Sequence, residues 1–536
     1  MTDCGTGLST PVSTPSVSRR TCSMHDHFDV AGVRIADGYF LARGDRSGSP
    51  RFRVTDGRMV FTRPNQEASL RDTLYNVLDA SERKLFVSSF LLDDPGVVDR
   101  LARKARQLRG SVYVVTALKD EWLGDTFGDQ EEASPGPTKH LVEPLVQAGV
   151  QVRGCRDAHA KFVVADDREA LVSTANFDVR GLIATGEAGV RISDPDEVLR
   201  LSRFFSRLWL SRCELEMPHD PSGRFTARST KRPATVTAVP VAELSTPDRV
   251  LWTDGKEQLI LDAFAATADS ASRDLIVATY DTRGLETLQE QILSRLARAV
   301  QRGVRVQLLT RIRNPRRASR ESLRRLTAVG VEVRGDSTNH AKFIIADRKA
   351  GALFSANLDA EHGLTSGIEV GAAVNGEDAA ALAAYFDEAF DGFASAPFVD
   401  GPTHADMNQH LRARFRRPWE TGRAVSVRCD RKTWENFRKA ADAGHPMLFQ
   451  ENGDVLRLHV AVESFEVSTS EGSMKRSPRG KDHPAGRHSG ELLDQWMSDR
   501  AEPSEARGIF AGTIRAEVVE PAPEVRVAAP TQANKR

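Results

Sequence analysis

The chain has 536 residues, 40% of them apolar, with 74 Lys and Arg set against 74 Asp and Glu. That length suits two to four domains with real cores, and the balanced charge means that attraction to any polyanion must come from local patches. Five scattered cysteines (Cys4, Cys22, Cys155, Cys213, Cys429), with no C-x-x-C pair, argue against a disulfide framework and a structural zinc site and fit a reducing compartment.

In chain order, residues 1–24 are rich in Ser, Thr and Pro and read as disordered; they lack the apolar stretch of a secretory signal. A β-rich segment is expected over 25–67, with "FRVTDGRMVF" as a hairpin turning at Asp-Gly. From 68 to 216 helices alternate with apolar strands ("KLFVSSFLL", "SVYVVTAL", "VQVRG"), the pattern of βαβ units on a parallel or mixed sheet. A polar, Pro-rich linker is expected over 217–246, after which the same order restarts over 247–400. Residues 401–518 read as a basic α+β accessory module with a disordered stretch near 467–490, and 519–536 as a disordered tail. No run approaches eighteen apolar residues, so no transmembrane helix is expected, and the predicted location is cytoplasmic.

The restart is an internal repeat. Residues 145–178 align with 326–359 without a gap, and 15 of the 34 pairs are identical. Each copy carries H-x-K-x4-D followed by a hydroxyl residue and an Asn: His159, Lys161, Asp166, Thr174 and Asn176, then His340, Lys342, Asp347, Ser355 and Asn357. Strand alternation along "HAKFVV" would put His and Lys on one face. Glu187 and Glu369 follow on the next predicted strand, the second one residue farther from the histidine of its copy. Such a set suits a phosphodiester. One imidazole can attack phosphorus, a second can protonate the leaving oxygen, and Lys and Asn donors can hold the phosphoryl oxygens. A carboxylate on the distal nitrogen would fix each histidine's tautomer. One copy holds one histidine, so this chemistry needs both copies at one site.

These motifs resemble the phospholipase D superfamily, whose signature is the duplicated H-x-K-x4-D, over about residues 68–395. The resemblance implies an α/β fold of two lobes about a pseudo-twofold axis, with the active site between them. It implies His159 as nucleophile working through a phosphohistidine and His340 as acid. Lys161, Lys342, Asn176 and Asn357 would hold the phosphate, and Glu187 and Glu369 would orient the histidines. Thr174 and Ser355 would contact substrate, and Asp166 and Asp347 would be structural. No metal or other cofactor is implied.

The superfamily acts on lipids and on nucleic acids. Two basic clusters favour a nuclease: residues 311–325, with Arg311, Arg313, Arg316 and Arg317 expected to contact substrate, and residues 411–440, where Phe415, Trp419, Trp434 and Phe437 interleave with basic side chains. The alternatives are a phospholipase D or phosphatidyltransferase acting on phospholipid headgroups, and an inactive nucleic-acid-binding scaffold. Nothing in the sequence names a partner protein.

Overall fold

The computed structural model describes residues 22–42, 57–64, 68–117, 139–218, 228–230, 249–314, 317–359, 363–392, 394–415, 422–452, 455–460, 465–468, 473–476 and 506–520. They divide into two compact units: Asp37–Pro402, and a second built from the two ends of the chain, Met1–Ala36 with Thr403–Arg536.

The larger unit contains the repeat as two nine-stranded mixed sheets of equivalent order. In the first lobe, Leu85–Ser89, Val112–Thr116 and Gln151–Gly154 run parallel, and Phe162–Ala165, Glu169–Ser173, Glu187–Ile192 and Met59–Thr62 extend the other side antiparallel. The second lobe repeats this with Asp274–Ala278, Arg305–Arg311 and Glu332–Asp336 parallel, then Phe343–Ala346, Ala350–Phe354, Glu369–Asn375 and Val250–Thr253 antiparallel. Helices start where the sequence signals them. Asp94 and Asp194, each followed by Pro, accept amide hydrogen bonds at the first turns of Pro95–Gln107 and Pro195–Ser211.

Each lobe has its own outer core, and a third core lies between the two sheets. That shared core joins Phe162, Phe204 and Phe205 of the first lobe to Trp252, Phe343, Tyr385 and Phe386 of the second, with Phe204 stacked on Trp252 at 5.3 Å between ring centres. The lobes are also clamped by two buried ion clusters at equivalent positions. Arg63, one residue past Met59–Thr62, bonds Glu388 at 2.6 Å and Asp336 at 3.2 Å. Asp254, one residue past Val250–Thr253, bonds Arg207 at 2.7 Å, and Glu257 joins at 2.9 Å. At their matched positions, Arg63 with Asp254 and Glu388 with Arg207, the two clamps are reversed in sign.

The predicted β-rich segment is not a module of its own. Cys22–Asp29 pairs with Gly512–Glu520 in the terminal unit, Gly38–Phe40 edges the second lobe's sheet, and Met59–Thr62 edges the first lobe's. The expected hairpin partner, residues 52–56, lies outside the described residues, and Met59–Thr62 takes Glu187–Ile192 instead. The linker's start is ordered: Leu215–Met217 and Arg228–Ser229 pair antiparallel on the first sheet.

The terminal unit is an eight-stranded sheet carrying the helices His404–Phe415 and Arg431–Asp442. It is α+β as expected, but it recruits the N-terminal strand, and its strand Gly512–Glu520 runs past the predicted boundary at 518. Two of the aromatics expected to stack nucleic-acid bases, Trp434 and Phe437, are buried instead. They stack on each other at 5.5 Å, and the indole N–H donates to Asp26. Their helical spacing of three residues is that of a core-facing stripe. Trp419 and the Phe415 side chain lie outside the described residues, as do residues 477–505 and 521–536.

Candidate active site

Both motif histidines line one cleft between the lobes, with a volume of about 50 Å³, together with Phe90, Asn176, Asp178, Arg180, Thr185, Glu187, Tyr280 and Arg311. That is room for a phosphoryl group or a few waters. The backbone delivers the histidines reciprocally. The His159 amide donates to the Ile368 carbonyl and the His340 amide to Gly186, both at 2.9 Å, while Ile368 and Gly186 donate back to Asp157 and Thr338. Each histidine-bearing segment is thereby sewn to the other lobe just before that lobe's glutamate. His159 and Lys161 themselves precede the strand Phe162–Ala165 rather than lying within it, and the backbone of Ala158 and His159 is engaged by Ile368 of the other lobe.

This stitching crosses the carboxylates over. His159 Nδ1 lies 2.9 Å from Glu369 Oε1, and His340 Nδ1 lies 2.6 Å from Glu187 Oε1. Each histidine thus faces the glutamate of the other copy. The extra residue before Glu369 lies in the connection that meets Asp157 and does not displace the carboxylate. With Nδ1 facing a carboxylate, Nε2 is the nitrogen turned to chemistry, that of His340 with Lys342 Nζ beside it at 3.1 Å.

Thr174 and Ser355 do not face the cleft as substrate contacts. Both are fully buried, and their hydroxyls donate to the glutamates, Thr174 to Glu187 at 2.6 Å and Ser355 to Glu369. Each also accepts a strand amide, from Ala188 and Val370 respectively, which fixes its rotamer. Thr185, beyond the aligned stretch and matched by Gly367 in the second copy, gives Glu187 a second hydroxyl donor at 2.8 Å.

Lys161 and Lys342 are fully buried behind the histidines, each Nζ donating to its own histidine's carbonyl at 2.6 and 2.8 Å. Phe90 and Tyr280 occupy equivalent positions, each edge-on to the histidine of its lobe at 5.4 and 4.6 Å and beside its lysine. Neither aromatic was singled out from sequence, although each follows closely on an apolar strand, Leu85–Ser89 or Asp274–Ala278. Asn176 lines the cleft and Asn357 is buried nearby in sequence to Ser355; neither side-chain carbonyl has a partner among the described residues.

Burial pushes the His340 imidazole well below its ordinary pKa, reinforced by the charges of Lys342, Lys161 and Arg311. Burial likewise pushes Glu187 up, against the pull of Lys342 and its two threonine donors. Together the two shifts favour a neutral imidazole. Asp178, also in the cleft wall, is raised to about 6, chiefly by burial and further by Asp93 and Glu187, against the Gly181 amide that it accepts. A carboxyl raised in this way favours folding while protonated, and that contribution is lost as pH rises from about 4 through about 6. Asp178→Asn keeps the acceptor without the charge. It should therefore stabilise the protein at pH 8 by up to about 3 kcal/mol and by little below pH 4, as read by denaturant unfolding at the two pH values.

The motif aspartates are structural. Asp166 and Asp347 adopt left-handed backbone (φ 56° and 51°) in the turn joining two strands. Asp166 accepts the amides of Glu82, Arg83 and Lys84, and Asp347 those of Ser272, Arg273 and Asp274. Burial would raise Asp166, but those amides and Arg168 outweigh it and hold the carboxyl at about 2.

Of the arginine cluster, Arg311 lines the cleft. Arg313 is ion-paired to Asp281 at 3.3 Å and lies over the Tyr280 ring at 3.9 Å, so it supports the wall instead of substrate. Arg317 is exposed at the start of the helix Arg317–Ala328, away from the cleft lining, and Arg316 lies outside the described residues. Arg320 and Arg324 are committed to Asp37 and Asp400. The cluster is thus mostly helix-surface and structural pairing. Arg180, unmarked in the sequence reading, lines the cleft from the first lobe.

The family profile described as "Cardiolipin synthase, PLD-like domain" matches residues 74–209 and 264–392. No curated protein matches. Among solved structures, phosphatidylserine synthase from Haemophilus influenzae Rd KW20 is similar at 12% identity and TM-score 0.47, over 69% of this chain and 90% of that one. Nuc, a phospholipase D family member from Salmonella typhimurium, is similar at 14% identity and TM-score 0.24 over 30% of this chain and 96% of its own. NucT from Helicobacter pylori gives 11% identity and TM-score 0.22 over 27% and 89%. Among the described residues, no helix is long and apolar enough to cross a membrane.

Proposed function

The chain belongs to the phosphodiesterases of the phospholipase D superfamily, and on that premise we propose that it is a nuclease working through a phosphohistidine. The observation that carries the chemistry is the crossed pairing of two histidines with two glutamates around one cleft. His159 Nε2 attacks phosphorus, the bond to the leaving oxygen breaks, and that oxygen takes a proton from His340. Water, giving its proton to His340, then attacks the phosphohistidine and returns His159. The depressed basicity of His340 sets one condition: it takes up its proton when a substrate phosphate enters and offsets the lysine charges. The basic limb of kcat should therefore fall at higher pH than that of kcat/KM, since the two profiles report the bound and free enzyme.

Nucleic acid is favoured by the two arginines in the cleft wall, Arg180 from one lobe and Arg311 from the other. The family description favours a second reading, phosphatidyl transfer. One panel separates them: purified protein in EDTA with plasmid, single-stranded DNA, RNA, phosphatidylcholine and phosphatidylglycerol. Cleavage of a nucleic acid is expected, and it should persist in chelator because buried lysines and histidines meet the charge on the phosphoryl oxygens. Turnover of lipid alone would overturn the nuclease reading. Binding of nucleic acid without turnover would leave a scaffold.

A further inference from the structure

The two walls of the cleft are not copies of each other. Strand registers place Phe90 opposite Tyr280 in the repeat, and Ala117 opposite Arg311. At these matched positions the first lobe has a plain ring and a methyl group where the second has a phenol and a guanidinium. Arg311 ends the strand Arg305–Arg311 at the cleft, its guanidinium 5.5 Å from the Tyr280 ring centre. Tyr280 is itself held by Arg313 at 3.9 Å from its ring centre, and Arg313 by the buried Asp281, so the ring beside Arg311 is fixed.

Two lysines and two histidines already supply the donors that one phosphoryl group requires, one set per lobe. Arg180 reaches the cleft from the turn Arg180–Ala184 of the first lobe, so no cation of that lobe stands at the strand position that matches Arg311. We propose that Arg311, seated on Tyr280, is a specificity-determining residue that binds a second phosphate adjoining the scissile one on the His340 side of the cleft. The substrate class is then a diester carrying consecutive phosphates, which a polynucleotide has and a zwitterionic headgroup lacks. This deepens the nuclease reading and rests on it. A guanidinium fork suits phosphate oxygens bidentately, and Arg→Lys at such a site keeps the charge and loses the fork.

The test measures binding in a His159→Asn background, with thymidine 5′-monophosphate and thymidine 3′,5′-bisphosphate as probes. The unmutated Arg311 protein should prefer the bisphosphate by about 10- to 100-fold, the range of one charge-assisted contact, beyond what the extra charge gives at high salt. Arg311→Ala should bring that preference close to unity, and Arg311→Lys should leave an intermediate value. Retention of the preference in Arg311→Ala overturns the proposal. So does loss of monophosphate binding in equal measure, which would place Arg311 on the scissile phosphate itself. Nucleic-acid cleavage by the wild type, scored separately, tells failure of the nuclease reading from failure of this one: cleavage without a bisphosphate preference sinks only the second-phosphate site.

Discussion

His159→Asn and His340→Asn should each lower kcat on a natural phosphodiester by at least about 10³-fold, with thermal midpoints close to wild type. Asn can still donate to the partner glutamate, so Glu369 or Glu187 is not left buried without a partner. The two losses should nevertheless differ in kind. His340 is assigned to the leaving oxygen, and a p-nitrophenolate leaves without a proton. The formation step of His340→Asn on a p-nitrophenyl phosphodiester should therefore recover much of its rate, seen as a burst of nitrophenolate as the phosphohistidine accumulates. His159→Asn has no nucleophile and should give no burst with any leaving group. If instead His340→Asn is the variant without a burst, the two roles are exchanged. The depressed basicity of His340 would then be that of a nucleophile kept ready.

Arg63→Ala should destabilise the larger unit by about 3–5 kcal/mol. The Arg63 guanidinium is 6% exposed and bridges Glu388 (6%) and Asp336 (0%), so its removal leaves two carboxylates buried without their cation. Asp336 also accepts the Thr338 amide, two residues before His340, so activity should fall at temperatures below the unfolding transition. A loss under about 1 kcal/mol would show that the cluster is as expendable as a surface pair.

Much of this was legible in the sequence because the repeat is a chemical one. A constant offset of 181 residues carried His, Lys, Asp and Asn together, and only a shared site explains keeping all four. Alternating apolar strands and basic helices likewise gave the lobes. What escaped was what depends on long-range register. Nothing local shows that Glu369 serves His159, since the crossing arises from backbone pairing of Ile368 with Asp157. Met59–Thr62 and Gly38–Phe40 read as neighbours but complete different sheets, because an edge strand is chosen by the sheet that needs one. Arg313 and Trp434 looked like ligand contacts by composition, and only their partners, Asp281 and Asp26, reveal them as structural. Thr174 and Ser355 were placed at the site but given the wrong neighbour, since a hydroxyl two residues before an Asn can face either the phosphate or the carboxylate.

The sign reversal of the two clamps bears on how such a protein could have arisen and on what it can no longer do. Across a true twofold axis, two copies of the first lobe would set Arg63 against Arg207, and two copies of the second would set Glu388 against Asp254. Either arrangement buries like charges at both contacts, whereas the mixed pair satisfies both. Each half has therefore become the obligate complement of the other. Exchanging or duplicating one half is disfavoured by the same electrostatics that hold the native pair, and tethering within one chain guarantees that the matching half is always the one at hand.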